Sequence, residues 1–291
     1  MNTLLTDAIF DPIQIPLDTW FANAIGWLTA NYRPTFQAMK VPIEVILQNV
    51  ETFLQWLPPI AFIAILALFA WRVAGKRIAL FSVAAFVMVG MIGLWSLTMT
   101  TLSMVVASVL VCMLMGIPLG ILAARSDRFR AGLRPVLDVM QTTPSFVYLV
   151  PVVMLFSIGT VAGVIATIIF ALPPLIRLTD LGIRQVPTDV IEAAEAFGSS
   201  EREILVKVRL PLALPSIMAG INQTIMLALS MVVIAALIGA GGLGRPVVEG
   251  LNALRVGVAG IGGLAIVLLA IVLDRLTQAL GERMRSTSTE A

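Results

Sequence analysis

The chain has no histidine and a single cysteine, Cys112, in 291 residues. Without histidine it lacks the one side chain that ordinarily titrates between about pH 5 and 8, which is also the commonest metal ligand. A lone cysteine excludes an intrachain disulfide and a cysteine-based metal site. Charge is scarce too. Asp, Glu, Lys and Arg together make up 12% of the residues, about half the roughly 25% of a soluble domain. No phosphate-binding loop is present, because Gly75-Lys76 is followed by Arg77 rather than Ser or Thr and lacks the upstream glycine. No carboxylate–histidine or nucleophile–base pair is visible, so an enzyme is not expected. The first positive charge is Arg33, so a cleaved leader with a basic start is not expected, and membrane entry would rely on internal spans.

What the chain does have is apolar residues, 59% of the total, with a mean hydropathy of +0.99. A core in water cannot absorb that much apolar surface, whereas a lipid bilayer can. The chain therefore reads as an all-α, polytopic membrane protein. Its net charge of +2 calls for no nucleic-acid partner.

A helix crosses the hydrocarbon core with about 20 apolar residues. Seven candidate spans follow, at residues 56–71, 78–97, 102–124, 145–158, 161–176, 217–238 and 256–273, with a tight turn expected at 98–101. This arrangement sorts the cations. Arg72, Lys76, Arg77, Arg125, Arg128, Arg130, Arg134, Arg177, Arg184, Arg202, Lys207, Arg209, Arg275, Arg283 and Arg285 fall on one face, and Arg33, Lys40, Arg245 and Arg255 on the other. The positive-inside rule places the crowded face in the cytoplasm, the N-terminus outside and the C-terminus inside. The apolar runs are nearly free of ionisable groups, which argues against a proton- or sodium-coupled carrier.

Three regions lie beside the spans. Residues 1–55 form an N-terminal extension, with 1–34 showing no clear period and expected to be loosely ordered. Further on, Ile43, Ile46, Leu47, Val50, Phe53, Leu54 and Leu57 recur at helical spacing, opposite Glu44, Gln48, Asn49, Glu51 and Gln55. That pattern fits an amphipathic helix on the outer membrane surface, or one packed on the protein's own spans. Residues 56–281 form the membrane domain, and 282–291 a cytoplasmic tail whose end, 286–291, is expected to be disordered.

The longest polar insertion is 179–211. Asp189, Glu192 and Glu195 are expected early in a short helix, where the helix dipole favours negative charge. Gly198 suits a left-handed cap. Ser200 to Glu203 reads as a capping box that starts a second helix, with Pro211 and Pro215 closing it. Such a helix–turn–helix is either an ordinary connector lying on lipid headgroups or a surface that a partner touches.

The spacing of Glu192, Ala193, Ala194, Glu195, Gly198, Val208, Leu210 and Pro211 resembles the "EAA" signature of bacterial ABC-importer permeases, with Val208 where isoleucine is usual. Gln141-Thr142-Thr143-Pro144-Ser145-Phe146-Val147-Tyr148-Leu149-Val150-Pro151, Ile169-Phe170-Ala171-Leu172-Pro173-Pro174-Leu175-Ile176-Arg177, Gly220-Ile221-Asn222-Gln223-Thr224, Gly241-Gly242-Leu243-Gly244 and Leu273-Asp274-Arg275-Leu276-Thr277-Gln278-Ala279 resemble the proline betaine/glycine betaine/choline branch of that family. The N-terminal extension is shorter than in the best-known glycine betaine member.

The resemblance implies a type I-like ABC importer permease fold in the bacterial inner membrane. It implies a homodimer working with two ABC ATPase subunits, which would hold ATP and Mg²⁺, and a periplasmic substrate-binding protein. No cofactor or metal would sit on this chain. The segment around Gly198 would be the coupling helix seated on the ATPase, and the cargo a quaternary ammonium compound. Another small polar solute such as an amino acid, or a secondary carrier without ATPase, are the alternatives. Thr142, Thr143, Phe146 and Tyr148 are pathway candidates. Asn222 and Gln223 either hydrogen-bond between helices or line the pathway. The spacing of Gly116 and Gly120 suits close helix packing. Residues 239–244 read as a flexible outer loop, or as a gate or docking surface.

Overall fold

The computed structural model describes residues 16–289, with side chains to residue 284. Those residues are helices joined by short turns and contain no strand. In chain order the elements are α1 (Leu17–Trp56), α2 (Pro59–Ala74), α3 (Lys76–Met91), α4 (Trp95–Arg125), α5 (Asp127–Thr142), a 3₁₀ turn (Ser145–Tyr148), α6 (Leu149–Phe156), α7 (Thr160–Arg184) and α8 (Thr188–Ala196). A helical turn (Glu201–Glu203) and a π-helical turn (Ile204–Arg209) then lead into α9 (Leu210–Ala236), α10 (Gly244–Asn252) and α11 (Val256–Thr289).

The core is built on α7, which packs against α4 on one side and α9 on the other. Small residues set the spacing. A Cβ on Gly120 would lie 2.5 Å from Thr179 Cβ and 2.9 Å from the Ile176 carbonyl, so α4 and α7 touch backbone to backbone there. Gly182 of α7 faces Ser216 of α9 in the same way, at 2.7 Å, and Gly220 of α9 faces Leu175, at 3.1 Å. In an apolar solvent there is no hydrophobic force between helices, so such close approach supplies the dispersion contact that holds a bundle together. Thr224 adds a cross-link, its hydroxyl donating to the Ala171 carbonyl at 3.1 Å.

Four helical segments are long and apolar enough to cross a membrane alone: α4, α7, the run Glu201–Ala236 and Val256–Met284. These correspond to the expected third, fifth, sixth and seventh spans. The other three expected spans have a different form. The first is α2, with 16 residues, or about 24 Å against roughly 30 Å of hydrocarbon. It forms one apolar unit with α1 only across a 104° bend. The second is α3, also 16 residues. The fourth is the second arm of another 104° bend, between α5 and the segment Ser145–Phe156. Pro144 stands at that bend, and a proline disfavours helical backbone in the residue before it.

Several boundaries also move. The turn expected at 98–101 lies earlier, at Ile92, Gly93 and Leu94, and Thr98 and Thr101 are buried inside α4. The Thr98 hydroxyl donates to the Leu94 carbonyl one turn back, at 2.8 Å, which satisfies it within the helix. α7 runs on through Arg184, so residues 179–184 are helix rather than loop. Backbone helix also continues through the expected disordered tail as far as Thr289, with 290–291 outside the described residues. No glycine or proline interrupts that tail.

α1 begins at Leu17, so 17–34 are helical rather than loosely ordered, and 1–15 lie outside the described residues. The predicted amphipathic stripe at 43–57 packs on the protein itself, with Leu47 and Leu54 joining the same core as α4. Thr100 of α4 donates to Glu51 at 2.8 Å, and Gln37 donates to the Leu155 carbonyl of α6 at 3.0 Å.

The contact at Gly120 can be tested. Gly120→Leu forces a side chain into backbone and should destabilise the fold by about 3 kcal/mol, read as a lowered thermal midpoint in detergent. Gly132→Ala on α5, where nothing lies within 4 Å, should leave the midpoint unchanged or raise it slightly.

Candidate functional site

The polar insertion folds as a capped helix, a tight turn and a second helix. α8 buries none of its residues. Its C-terminus is a Schellman motif, with Ser199 N–H donating to the Ala194 carbonyl at 3.0 Å and Gly198 N–H to the Glu195 carbonyl at 2.8 Å. Gly198 has φ +79°, a left-handed conformation that a side chain would strain. The next helix opens with the predicted capping box. Ser200 N–H donates to Glu203 Oε2 at 3.0 Å, and Glu203 N–H donates to Ser200 Oγ at 3.4 Å. Lys207 Nζ donates to Glu203 Oε1 at 2.9 Å. Donation from Lys207 first, and from Ser200 second, holds the Glu203 carboxyl down at about 2.

Pro211 and Pro215 do not close this helix. The run Glu201–Ala236 is continuous over 36 residues. A proline removes one intrahelical bond and crowds the carbonyl four residues back. The π turn Ile204–Arg209 lies just before Pro211, where a shifted hydrogen-bond register accommodates it. The loop is thus joined to the core helix α9 without a break.

An ion network fixes the root of the loop to the bundle. Asp180, buried near the end of α7, accepts from Arg130 of α5 and from Arg184, both at 2.8 Å. Arg184 also reaches Asp127 at 2.7 Å and the Ala123 carbonyl at 2.8 Å. Asp180 and Arg184 together therefore tie the ends of α4, α5 and α7. Arg125 stands 3.9 Å from Glu201, and Ile204 is buried.

Within this frame, Glu192, Ala193, Glu195, Gly198 and Pro211 are exposed, and Ala194, Val208 and Leu210 are half-buried. Glu192 and Glu195 make no ion pair among the described residues. All three acids were expected early in this helix; Asp189 occupies the dipole-favoured first turn, whereas Glu192 lies in mid-helix and Glu195 in the last turn of α8. The reason is that α8 starts at Thr188 and is only nine residues long. Sequence reading passed over Phe197, which is 91% exposed at the tip beside Gly198. An aromatic next to the turn of a polar loop was the available signal. The loop therefore presents an apolar tip with free carboxylates beside it, on a rigidly capped mount.

The pathway candidates fall on two different seams. Thr142 and Thr143 end α5, each hydroxyl donating one turn back, to the Asp138 carbonyl at 2.9 Å and the Val139 carbonyl at 2.8 Å. Tyr148 braces the α5–α6 bend by donating to the Met140 carbonyl at 2.6 Å, and Phe146 is 60% exposed. Asn222 sits on the α9–α11 seam, donating to Asp274 at 3.2 Å and accepting from Thr277. Gln278 donates to the same Asp274 oxygen at 2.7 Å. Gln223, exposed, lines a cavity of about 320 Å³ there with Asn222, Thr277 and Glu282.

The glycine-rich segment 239–244 is not a flexible loop. Leu243 N–H donates to Thr101 Oγ1 at 2.7 Å and Gly241 N–H to Thr160 Oγ1 at 3.2 Å. A Cβ on Gly244 would lie 2.2 Å from the Val232 carbonyl oxygen. The glycines serve close approach to α4, α7 and α9 rather than mobility.

Residues 116–286 match the family model of the binding-protein-dependent transport system inner membrane component. The chain belongs to this family. The match begins within α4 and takes in the α7 core, the loop and α11, leaving α1 to α3 outside it. Family relatives extend further. The glycine betaine/proline betaine transport system permease protein ProW of Escherichia coli (strain K12) is 53% identical over 96% of this chain and 79% of its own length. The glycine betaine transport system permease protein OpuAB of Bacillus subtilis (strain 168) is 44% identical over 94% of this chain and 97% of its own. Among solved structures, an inward-facing MetNI methionine ABC transporter aligns with a TM-score of 0.54 and 26% identity, over 64% of this chain and 92% of that one. The fold is that of a type I ABC importer permease.

Two measurements check the loop's mount. Asp180→Ala should cost about 2 kcal/mol of stability, less than the roughly 3–5 kcal/mol of a fully buried pair because Arg130 is partly exposed and Arg184 keeps Asp127. Thermal unfolding in detergent reads it. The Glu203 carboxyl should titrate by NMR with a midpoint near 2 rather than the ordinary 4.5. Its pKa is lowered on folding, so the box contributes fully above about pH 4.5 and is lost as pH falls towards 2. A midpoint at the ordinary value would mean the box is not formed.

Proposed function

We propose that this chain is the membrane permease subunit of an ATP-driven, binding-protein-dependent importer of quaternary ammonium compounds, namely glycine betaine, proline betaine or choline. Two copies form the translocation pathway in the bacterial inner membrane. Two ATPase subunits on the cytoplasmic side hold ATP and Mg²⁺, and a periplasmic binding protein delivers the cargo. The N-terminus lies outside and the C-terminus in the cytoplasm, a reading supported by the crowding of cations on the loop's side of the membrane.

The observation that carries this reading is the loop itself. α8 has no buried residue, carries free Glu192 and Glu195, is followed by the bare Phe197 ring, and is joined through Glu201–Ala236 to the core. In this reading α8 seats in a groove of the ATPase. Ala193 and Ala194 allow close approach, Phe197 supplies an apolar anchor, and the carboxylates meet basic groups. ATP-driven closure of the ATPase pair displaces α8, and Glu201–Ala236 carries the displacement to α7 and α4. Alternating access follows if the packed core moves as a rigid body. The names of the relatives support the substrate class. A permease for another small polar solute is the second reading, supported by the methionine transporter's fold but at much lower identity.

In proteoliposomes holding the permease, its ATPase and its binding protein, Gly198→Trp should abolish most uptake while ATP hydrolysis persists. No neighbour lies within 4 Å of a Cβ at Gly198, so the substitution costs only about 1 kcal/mol of local strain, and the loss is one of coupling. Full uptake by Gly198→Trp would sink the coupling role. Titrating glycine betaine, proline betaine and choline against the binding protein decides the cargo.

A further inference from the structure

The first half of α1 carries an apolar face with nothing beneath it. At 100° per residue, Leu17, Trp20, Phe21, Trp27, Leu28 and Tyr32 fall within one arc of roughly 140°. Thr19, Asn23, Gly26, Ala30 and Arg33 occupy the opposite side. Five of the six apolar-face residues are exposed, from Tyr32 at 46% to Phe21 at 70%. The line through Phe21, Leu28 and Tyr32 continues along the helix through Ile43, Val50 and Leu57, which pack on the core. One stripe thus rests on protein in its second half and on nothing in its first. An exposed face this large and aromatic marks a surface that something covers.

Three features of the fold point to what covers it. α1 makes a 104° bend with α2, and α2 packs alongside α3 and the spanning helix α11. If α2 follows the membrane normal, α1 lies nearly in the membrane plane. Glu51 of α1 bonds to Thr100 near the start of α4, whereas Arg125 at the other end of α4 reaches Glu201 of the coupling loop. α1 therefore lies at the end of the bundle away from that loop. The composition fits as well. Trp20, Trp27 and Tyr32 each join an apolar ring to a polar tip, the side chains that concentrate where hydrocarbon meets headgroups. Asp18 and Arg33 are the only charges in 17–33, so the attraction is apolar rather than electrostatic.

We propose that residues 17–33 are an in-plane anchor embedded in the membrane–water interface on the side opposite the coupling loop, with phospholipid as the occupant of the aromatic face. The anchor holds the α1–α2 elbow at a fixed depth and braces the outer ends of α4 and α6, which α1 touches through Thr100 and Leu155.

The test uses the full chain in phosphatidylcholine nanodiscs, with Cys112→Ala removing the only cysteine. Single cysteines placed at successive positions from 17 to 33 carry a nitroxide. The ratio of collisions with oxygen to those with a nickel chelate should oscillate with a period of about 3.6 residues. Oxygen should dominate at Phe21 and Leu28, and nickel at Asn23 and Ala30. Uniform nickel access on both faces would mean an arm in water and would overturn the proposal. Low access to both reagents on the aromatic face, with dipolar broadening between copies, would mean a protein–protein contact and overturn it equally. A label-free check uses brominated phosphatidylcholine. The fluorescence that W20F/W27F removes from the native chain should be quenched at least as strongly as what remains. Absence of quenching in that component would also overturn the anchor.

Discussion

The close seating of α7 between α4 and α9 is the constraint on which the other elements depend. In lipid, an apolar side chain gains nothing by leaving its solvent for a neighbouring helix, so helices are held by contact and by the few hydrogen bonds they share. At Gly120, Gly182 and Gly220 the backbones come near enough for both. The Thr224–Ala171 hydrogen bond exists because α7 and α9 are already in contact. The same economy of space explains the packed segment 239–244, where Thr101 and Thr160 accept backbone N–H groups that a wider bundle would leave unpaired.

That rigid centre is what the polar loop is mounted on. A capped helix on a slack tether could be displaced without consequence. Here the root is tied by Asp180 to α5 and α7, and the far arm enters α9 without a break. The π turn before Pro211 is what preserves this continuity: the register shift accommodates a proline that would otherwise end or kink the helix. The loop's exposed groups are thus fixed in place before any partner arrives.

The two bent pairs follow a different rule. Each contains a segment too short to cross a bilayer alone, and each bends at a proline-marked break. One ends in α1, whose aromatic half extends beyond the protein's own packing surface. A soluble protein would fold such a face inward. In a bilayer the interface itself serves as the neighbouring layer.

Hydropathy and the spacing from Glu192 to Pro211 were enough to read off a membrane protein, its family and the capped polar loop. These are local or compositional properties, and the Schellman and capping-box geometries follow from Gly198, Ser200 and Glu203 by short-range hydrogen bonding alone. The tertiary structure decided what depends on neighbours distant in sequence. Thr98 and Thr101 look like turn residues until α4 is seen to run through them, with the Leu94 carbonyl and the Leu243 N–H as their partners. Asp180 looks like a loop residue until Arg130 and Arg184 close around it. The stripe of α1 was legible only at 43–57, where charged and amide residues outline the polar side. At 17–33 the polar side is Thr19, Asn23, Gly26 and Ala30, with a charge only at its end, Arg33, and it contrasts too little with the aromatic face to show a period. Local sequence specifies how a helix starts, stops and caps. Which face is buried, and in protein or in lipid, is set by packing that no single segment contains.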